Sequence, residues 1–250
     1  MQITGNTILI TGGGSGIGRG LAEAFHKAGN QVVISGRRQS VLDEVTSANP
    51  GMASFTVDMT DKASVTKFAA GVIAAHPTLN AIINNAGIMV DEDILAAPSY
   101  LQTAEDTIAT NLLGPIRLTA ALLPHLLQQS RATILTVSSG LAFVPKASTP
   151  TYSATKAAIH SYSQSLRYQL RNTAVEVIEL APPYVQTTLQ GERQANDPNA
   201  MPLADYIAET MDLLAAGPEN GEVLVQRVHR QRFAEQTGDA AAVFGFINPA

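Results

Sequence analysis

Short runs rich in valine and isoleucine recur along the whole chain: TILIT (7–11), QVVIS (31–35), ASFTV (53–57), NAIIN (80–84), ATILTVS (132–138), AVEVIEL (174–180) and EVLVQ (222–226). Stretches of helical length separate them, near 17–28, 39–48, 61–75, 101–128, 151–172 and 203–216. A strand, a helical crossover and a further strand build a parallel sheet with helices on both faces. The expected architecture is α/β, a doubly wound, seven-stranded parallel sheet in a single domain over 1–250. In such sheets ligands sit beyond the carboxyl ends of the strands. The segment PPYVQTTLQGERQANDPNAMP, 182–202, emerges there after the sixth run, carries four prolines, and reads as a loop. It is expected to supply a substrate lid near 183–205.

With 45% hydrophobic and 15% charged residues, the chain has a globular balance and enough length for a large core. A formal charge of −5 with no basic block gives no footprint for nucleic acid. The N-terminal MQITGNTILIT lacks a basic segment followed by a long apolar run, and no eighteen consecutive residues are apolar. A cytoplasmic location without membrane association is therefore expected. The chain has no cysteine, which excludes disulfides, a thiolate nucleophile and cysteine-ligated zinc. His26, His76, His125, His160 and His229 show no ligand spacing, so no metal is expected and they read as solvated or capping residues.

Two stretches carry chemistry. TGGGSGIG, Thr11 to Gly18, follows the first run and opens the first helix. Glycines there let the backbone approach a pyrophosphate, and the free N–H groups of a helix N-terminus favour its charge. TYSATKAAIHSYSQSLRYQL, 151–170, holds three tyrosines and one lysine. At about 100° per residue Tyr162 points roughly 80° away from Tyr152 and Tyr168 nearly opposite, so only Tyr152 projects beside Lys156. Taken singly, the first stretch also suits a plain strand-to-helix turn and the second an aromatic ring packed on a lysine stem.

Taken in register, they resemble the short-chain dehydrogenase/reductase family along nearly the whole chain. The spacing of Gly12, Gly16 and Gly18, with Gly14, Ser15 and Ile17 between them, is similar to the family's nucleotide-binding loop. NNAG, Asn84 to Gly87, matches a second family mark and includes Asn85, Ala86 and Gly87. Ser139 in TVSSG stands thirteen residues before Tyr152, the family interval. The resemblance implies a Rossmann fold and hydride transfer between a nicotinamide cofactor and a small carbonyl or alcohol substrate. It makes Tyr152 the general acid/base, Ser139 a donor to the substrate oxygen, and Lys156 the residue that holds the nicotinamide ribose and, together with the positive ring of the oxidised cofactor, lowers the tyrosine pKa. Asn111 matches the fourth family residue. Pro115, four residues later, has no N–H to bond the Asn111 carbonyl, which is left to hold a relay water.

The second strand decides between cofactors. An acid at its end would accept the ribose 2′-OH, but ISGRR puts Gly36 there, followed by Arg37 and Arg38, whose guanidinium forks match a phosphate. NADP(H) is expected over NAD(H), in a one-sided clamp, since the glycine loop has no basic residue before Gly16. By resemblance Asp58 binds the adenine amino group. After the sixth strand the family pattern PGxVxT reads PPYVQT: Pro182, Val185 and Thr187 match, with Thr187 implied at the carboxamide. Pro183 departs, placing a ring where glycine lets the backbone approach the cofactor. The proline pair resembles an oxidoreductase branch named for DltE. Leu141, Phe143, Tyr184 and Leu189 suggest a partly apolar pocket, and the resemblance implies a homodimer or homotetramer through the helices at 101–128 and 151–172. The alternatives are a nonenzymatic NADP(H)-binding sensor or scaffold, and a lyase or epimerase that retains its cofactor.

Overall fold

The computed structural model of the chain describes residues 1–249. Its strands are β1 (Thr7–Thr11), β2 (Gln31–Gly36), β3 (Ala53–Thr56), β4 (Leu79–Asn84), β5 (Ala132–Val137), β6 (Val175–Leu180) and β7 (Glu222–Val223). They form one seven-stranded sheet in the order β3-β2-β1-β4-β5-β6-β7. Each neighbouring pair is parallel. The helices are α1 (Gly16–Lys27), α2 (Gln39–Ala48), α3 (Lys62–Ala75), α4 (Leu101–Ile108), α5 (Gly114–Leu126), α6 (Pro150–Leu170), α7 (Glu192–Ala195), α8 (Leu203–Ala216), α9 (His229–Arg232), α10 (Ala234–Thr237) and α11 (Ala240–Ile247).

All of β1 is buried, and its pleat divides the interior in two. Ile8 and Ile10 face a core with Phe25 of α1, Leu42 of α2 and Tyr206 of α8. Leu9 faces the opposite core with Phe68 of α3, Leu122 of α5 and Leu166 of α6. Burying each such aliphatic or aromatic side chain is worth roughly 1.5–3 kcal/mol, so this strand anchors both layers. From β1 the chain builds outward to β3, then crosses back to lay β4 on the other side of β1. A crevice therefore opens where the carboxyl ends of β1 and β4 diverge.

Two expectations need correction. The run at 222–226 pairs only at Glu222 and Val223; Val225 and Val228 are buried, but a 3₁₀ turn (Gln226–Val228) has already left the ladder. Apolar content there marked burial rather than pairing. The helix expected over 101–128 is α4 and α5 joined by a π-helical turn, Ala109–Leu113, in which the Gly114 N–H reaches back to the Ala109 carbonyl. Pro115, which cannot donate, sits just beyond it. Beyond 226 the chain forms α9, α10 and α11, helices too short for a periodic pattern to reveal. Among the described residues no helix is long and apolar enough to cross a membrane.

Candidate active site

Side chains tie the crevice together at its apex. The Thr11 hydroxyl accepts the N–H groups of Asn85 and Ala86, each at 3.0 Å, and donates to the Ile83 carbonyl at 3.3 Å. Asn85 Nδ2 donates to the carbonyls of Thr11 at 2.9 Å and Gly12 at 3.4 Å. The ends of β1 and β4 are thereby held as one unit. Asn84 turns the other way, donating to Thr119 Oγ1 on α5 at 3.2 Å.

The glycine loop follows from this closeness. Gly12 has φ 68° and Gly16 φ 51°, a region that disfavours side chains. At Gly18 a Cβ would lie 2.3 Å from the Gly12 carbonyl oxygen and 2.4 Å from Asn85 Nδ2. Ser15 caps α1 in extended conformation without using its side chain, and the first turn carries no acid. A bare, cationic helix end thus faces the crevice, which suits a phosphate-bearing dinucleotide. Beside it, a cavity of about 170 Å³ is lined by Gly12, Gly14, Ser15, Arg37, Arg38 and Asp58. Asp58 Oδ1 accepts both the N–H (2.9 Å) and the hydroxyl (2.7 Å) of Thr60, and these bonds, more than the charge of Arg37, hold its pKa below the usual value.

A larger cleft of about 860 Å³ continues from the loop and brings Ile17, Asn85, Ala86, Gly87, Ser139, Tyr152 and Lys156 to one wall. The three tyrosines of α6 part as their angles require: Tyr152 is buried, Tyr162 packs on the core side, and Tyr168 is exposed beneath the Arg171 guanidinium. Ser139 caps a 3₁₀ turn, its Oγ accepting the Leu141 N–H at 3.1 Å, whereas Ser138 turns to the Leu180 carbonyl. Asn111, in the π turn, clamps Ile88 with both ends of its amide, accepting the N–H at 2.9 Å and donating to the carbonyl at 2.8 Å.

In the protein without cofactor, burial governs the electrostatics of this pair. Burial pushes the Tyr152 phenol up to about 12, against the lowering influence of the Ser139 hydroxyl. Lys156 Nζ donates to the Val137 carbonyl at 2.8 Å and stands 5.5 Å from the centroid of the Tyr152 ring. Burial also pushes this lysine down to about 8, opposed by the negative charge of Glu179. In the protein alone, desolvation outweighs charge at both groups.

The segment after β6 closes over the loop. Gln186 N–H donates to Met201 O at 2.9 Å and Met201 N–H to Tyr184 O at 2.8 Å, so Val185 and Met201 form a parallel bridge. Thr187 reaches the glycine loop, where its Cβ would lie 3.3 Å from a Cβ at Gly16. Pro182 accepts the Gly140 N–H at 2.8 Å, and Pro182, Pro183, Tyr184 and Leu189 line the cleft with Leu141. Phe143 does not: it stands edge-on to His160 and under the Arg232 guanidinium.

Several residues of this region carry no signal in the sequence. Gln194, buried on the short α7, donates to Val185 O at 2.8 Å and Thr187 Oγ1 at 3.1 Å and accepts from Gln190 N at 3.0 Å. Gln231 packs its amide against Gly140, beside Ser139. His160 is neither solvated nor a cap; its Nδ1 lies 2.8 Å from Glu179, whose side chain is 1% exposed. Glu222 stands next to Glu179 across the β6–β7 ladder and is held bidentately by Arg232, at 2.8 and 3.1 Å.

A parallel sheet with a glycine cradle at its crevice, and a buried serine, tyrosine and lysine in the adjoining cleft, define a nicotinamide-dependent dehydrogenase type. The chain belongs to the short-chain dehydrogenase/reductase family: the family's profile, described as short chain dehydrogenase, matches residues 6–198. Over 237 residues, 94% of the chain and 93% of the relative, it is 39% identical to DltE of Bacillus subtilis, named as an uncharacterized oxidoreductase, which places it in the DltE-like branch. A solved serine dehydrogenase complexed with NADP+ is 26% identical, with a TM-score of 0.73 over 80% of this chain and 86% of that one. A short chain dehydrogenase from Burkholderia cenocepacia in complex with NADP, at 24% identity, shares the fold with a TM-score of 0.83 over 99% of both chains.

Proposed function

We propose that this oxidoreductase prefers NADP(H) and interconverts a carbonyl and an alcohol, with Tyr152 as the general acid/base. The observation that carries this reading is the convergence of Ser139, Tyr152 and Lys156, all buried, in a cleft continuous with the glycine cradle. The cradle, Asn85, Ala86, Gly87, Val185 and Thr187 hold the cofactor, with Pro182 shaping the wall; Arg37 and Arg38 meet its 2′-phosphate, and Asp58 faces the adenine side. A bound nicotinamide supplies or takes up the hydride. The remaining work falls to the chain's own groups.

Burial keeps the Tyr152 phenol loaded with its proton, which suits donation to a carbonyl oxygen in the reducing direction. Ser139 orients that oxygen. Taking a proton in the oxidising direction requires the phenolate, and the Lys156 ammonium, fixed on the Val137 carbonyl, is the nearest fixed positive charge on this wall. Asn111 positions the Ile88 backbone at the cleft and sits where the π turn interrupts the regular helical bonds. The 184–201 segment acts as the lid, closed by Gln194. Exposed Leu101, Ile108, Leu113, Leu127 and Tyr168 on and beside α4, α5 and α6 suit a homodimer or homotetramer built through those helices.

Thermal shifts across NADPH and NADH series test the cofactor preference: stabilisation at much lower NADPH than NADH is expected. A carbonyl panel with Tyr152→Phe tests the chemistry. Loss of at least about 100-fold in turnover is expected for a missing general acid; unchanged turnover would sink the role.

A further inference from the structure

The larger cleft has an unusual charge inventory. Arg37, Arg38, Lys146, Lys156, Arg227 and Arg230 line it, and no aspartate or glutamate among the described residues does. The chain as a whole has more acids than bases, 21 to 16. Arg37 and Arg38 belong to the proposed cofactor site and Lys156 lies by the Tyr152 ring, which leaves Lys146, Arg227 and Arg230 without a part in that reading.

Arg232 is bidentate on Glu222, and Arg167 donates to the carbonyls of Val177 and Gly221. Lys146, Arg227 and Arg230 are held less fully. Lys146 Nζ meets the Gln190 amide oxygen at 3.4 Å, Arg227 donates a single bond to the Asn199 carbonyl, and Arg230 lies 5.4 Å from the centroid of the Phe246 ring. No carboxylate among the described residues stands within 4.0 Å of any of the three. The same lining includes the apolar Val90, Leu141, Leu189, Val243, Phe246 and Ile247. Gln231, which follows Arg230 on α9, packs against Gly140, so this helix adjoins the reacting end as well as the rim.

We infer that the substrate is an anionic carbonyl compound: a carbonyl separated by an apolar segment from a carboxylate or phosphate that Arg230, Arg227 and Lys146 receive. This rests on the reading of Tyr152 as the acid/base, since it places the carbonyl there and the anion on the three cations. A concave cleft of about 860 Å³ suits a small molecule rather than a flat macromolecular face. Charge-assisted bonds favour an anion over an uncharged analogue; Lys146 is half-buried, and Arg227 and Arg230 are exposed. The same cations draw an anion into a protein of opposite net charge, with an effect that salt weakens.

The test uses protein saturated with NADP(H) and three probes of one chain length: a medium-chain keto acid, its methyl ester, and the corresponding keto phosphate. Binding is followed by calorimetry and turnover by cofactor absorbance. The acid or the phosphate is expected to bind on the order of ten-fold or more tightly than the ester, with the gap narrowing as salt rises; the tighter of the two identifies the head group. Arg230→Gln and, separately, Lys146→Gln are expected to shrink the gap, and Arg230→Lys to restore part of it. An ester bound as well as either anion, or a gap unmoved by both glutamine variants, overturns the inference. Turnover that survives Tyr152→Phe overturns the acid/base reading instead, and leaves the binding gap to be judged by itself.

Discussion

The two sides of the cleft are built by different means. On the β1–β4 side the backbone makes the site: positive-φ glycines, a Cβ-free approach of α1 to the Gly12 carbonyl, and strands buried on both faces. On the side after β6 the strand is two residues long and the helices α7, α9 and α10 are single turns. Side chains hold that region: Gln194 on Val185 and Thr187, Arg232 on Glu222. A backbone site fails when atoms are added, and a side-chain site fails when they are removed.

The largest effect is expected from removing Arg232. Arg232→Met leaves Glu222 beside the buried Glu179 without its cation, which should cost about 3 kcal/mol in a denaturant melt. Combining it with Glu222→Gln should recover most of that loss; additive losses would mean that the pair is not the tie described here.

Adding one methyl group tests the other side. Gly18→Ala places a Cβ 2.3 Å from a backbone oxygen, with an expected cost of about 2 kcal/mol and loss of the NADPH thermal shift. Gly191→Ala is its control: φ there is 84° and nothing lies within 4 Å, so a conformational cost of about 1 kcal/mol and intact cofactor binding are expected. Equal losses from the two would erase the distinction.

A smaller, local effect is expected at Gln194. Gln194→Leu should leave the melting temperature nearly unchanged while limited proteolysis between 184 and 201 speeds up about ten-fold, because the tie concerns a local opening.

A pH slope tests the burial of Lys156 itself. Below about pH 8 both folded and unfolded chains hold the Lys156 proton; between about 8 and the usual lysine value near 10.4, only the unfolded chain does. Stability of the cofactor-free protein relative to Lys156→Met should therefore rise across that window. A flat difference would place the ammonium in a more solvated setting.

The same contrast explains what could be read from the chain. Buried runs such as TILIT have one structural solution once helices alternate with them, and the register of Gly12, Ser139, Tyr152 and Lys156 brings these residues to one cleft because strands and α6 are stiff over those spans. EVLVQ misled because Val225 and Val228 are buried without pairing. Phe143 was assigned to the pocket by hydrophobicity alone, which does not tell a cleft wall from a platform for Arg232. Gln194, Gln231 and the His160–Glu179 pair gave no signal, since a polar residue that meets its partner through a short helix or across a sheet has no periodicity to betray it. The spacing of Tyr152 to Lys156 is local, but the burial that dominates the phenol in the protein alone is global and leaves no mark in the sequence.

Tyr152 and Lys156 on α6 are followed at the same interval by His160, which meets Glu179, and Gln164, whose Nε2 lies 3.0 Å from His160 Nε2. At about 100° per residue, positions four apart advance about 40°, so this polar series winds about 120° around the helix. It behaves as a screw thread, starting at the phenol in the cleft and finishing at the exposed Gln164. Inserting or deleting one residue between Tyr152 and His160 throws the two ends out of phase by about 100°, whatever residue is used. The length of this helix is therefore as tightly specified as its composition, whereas the segment from 184 to 201 carries no such phase to keep.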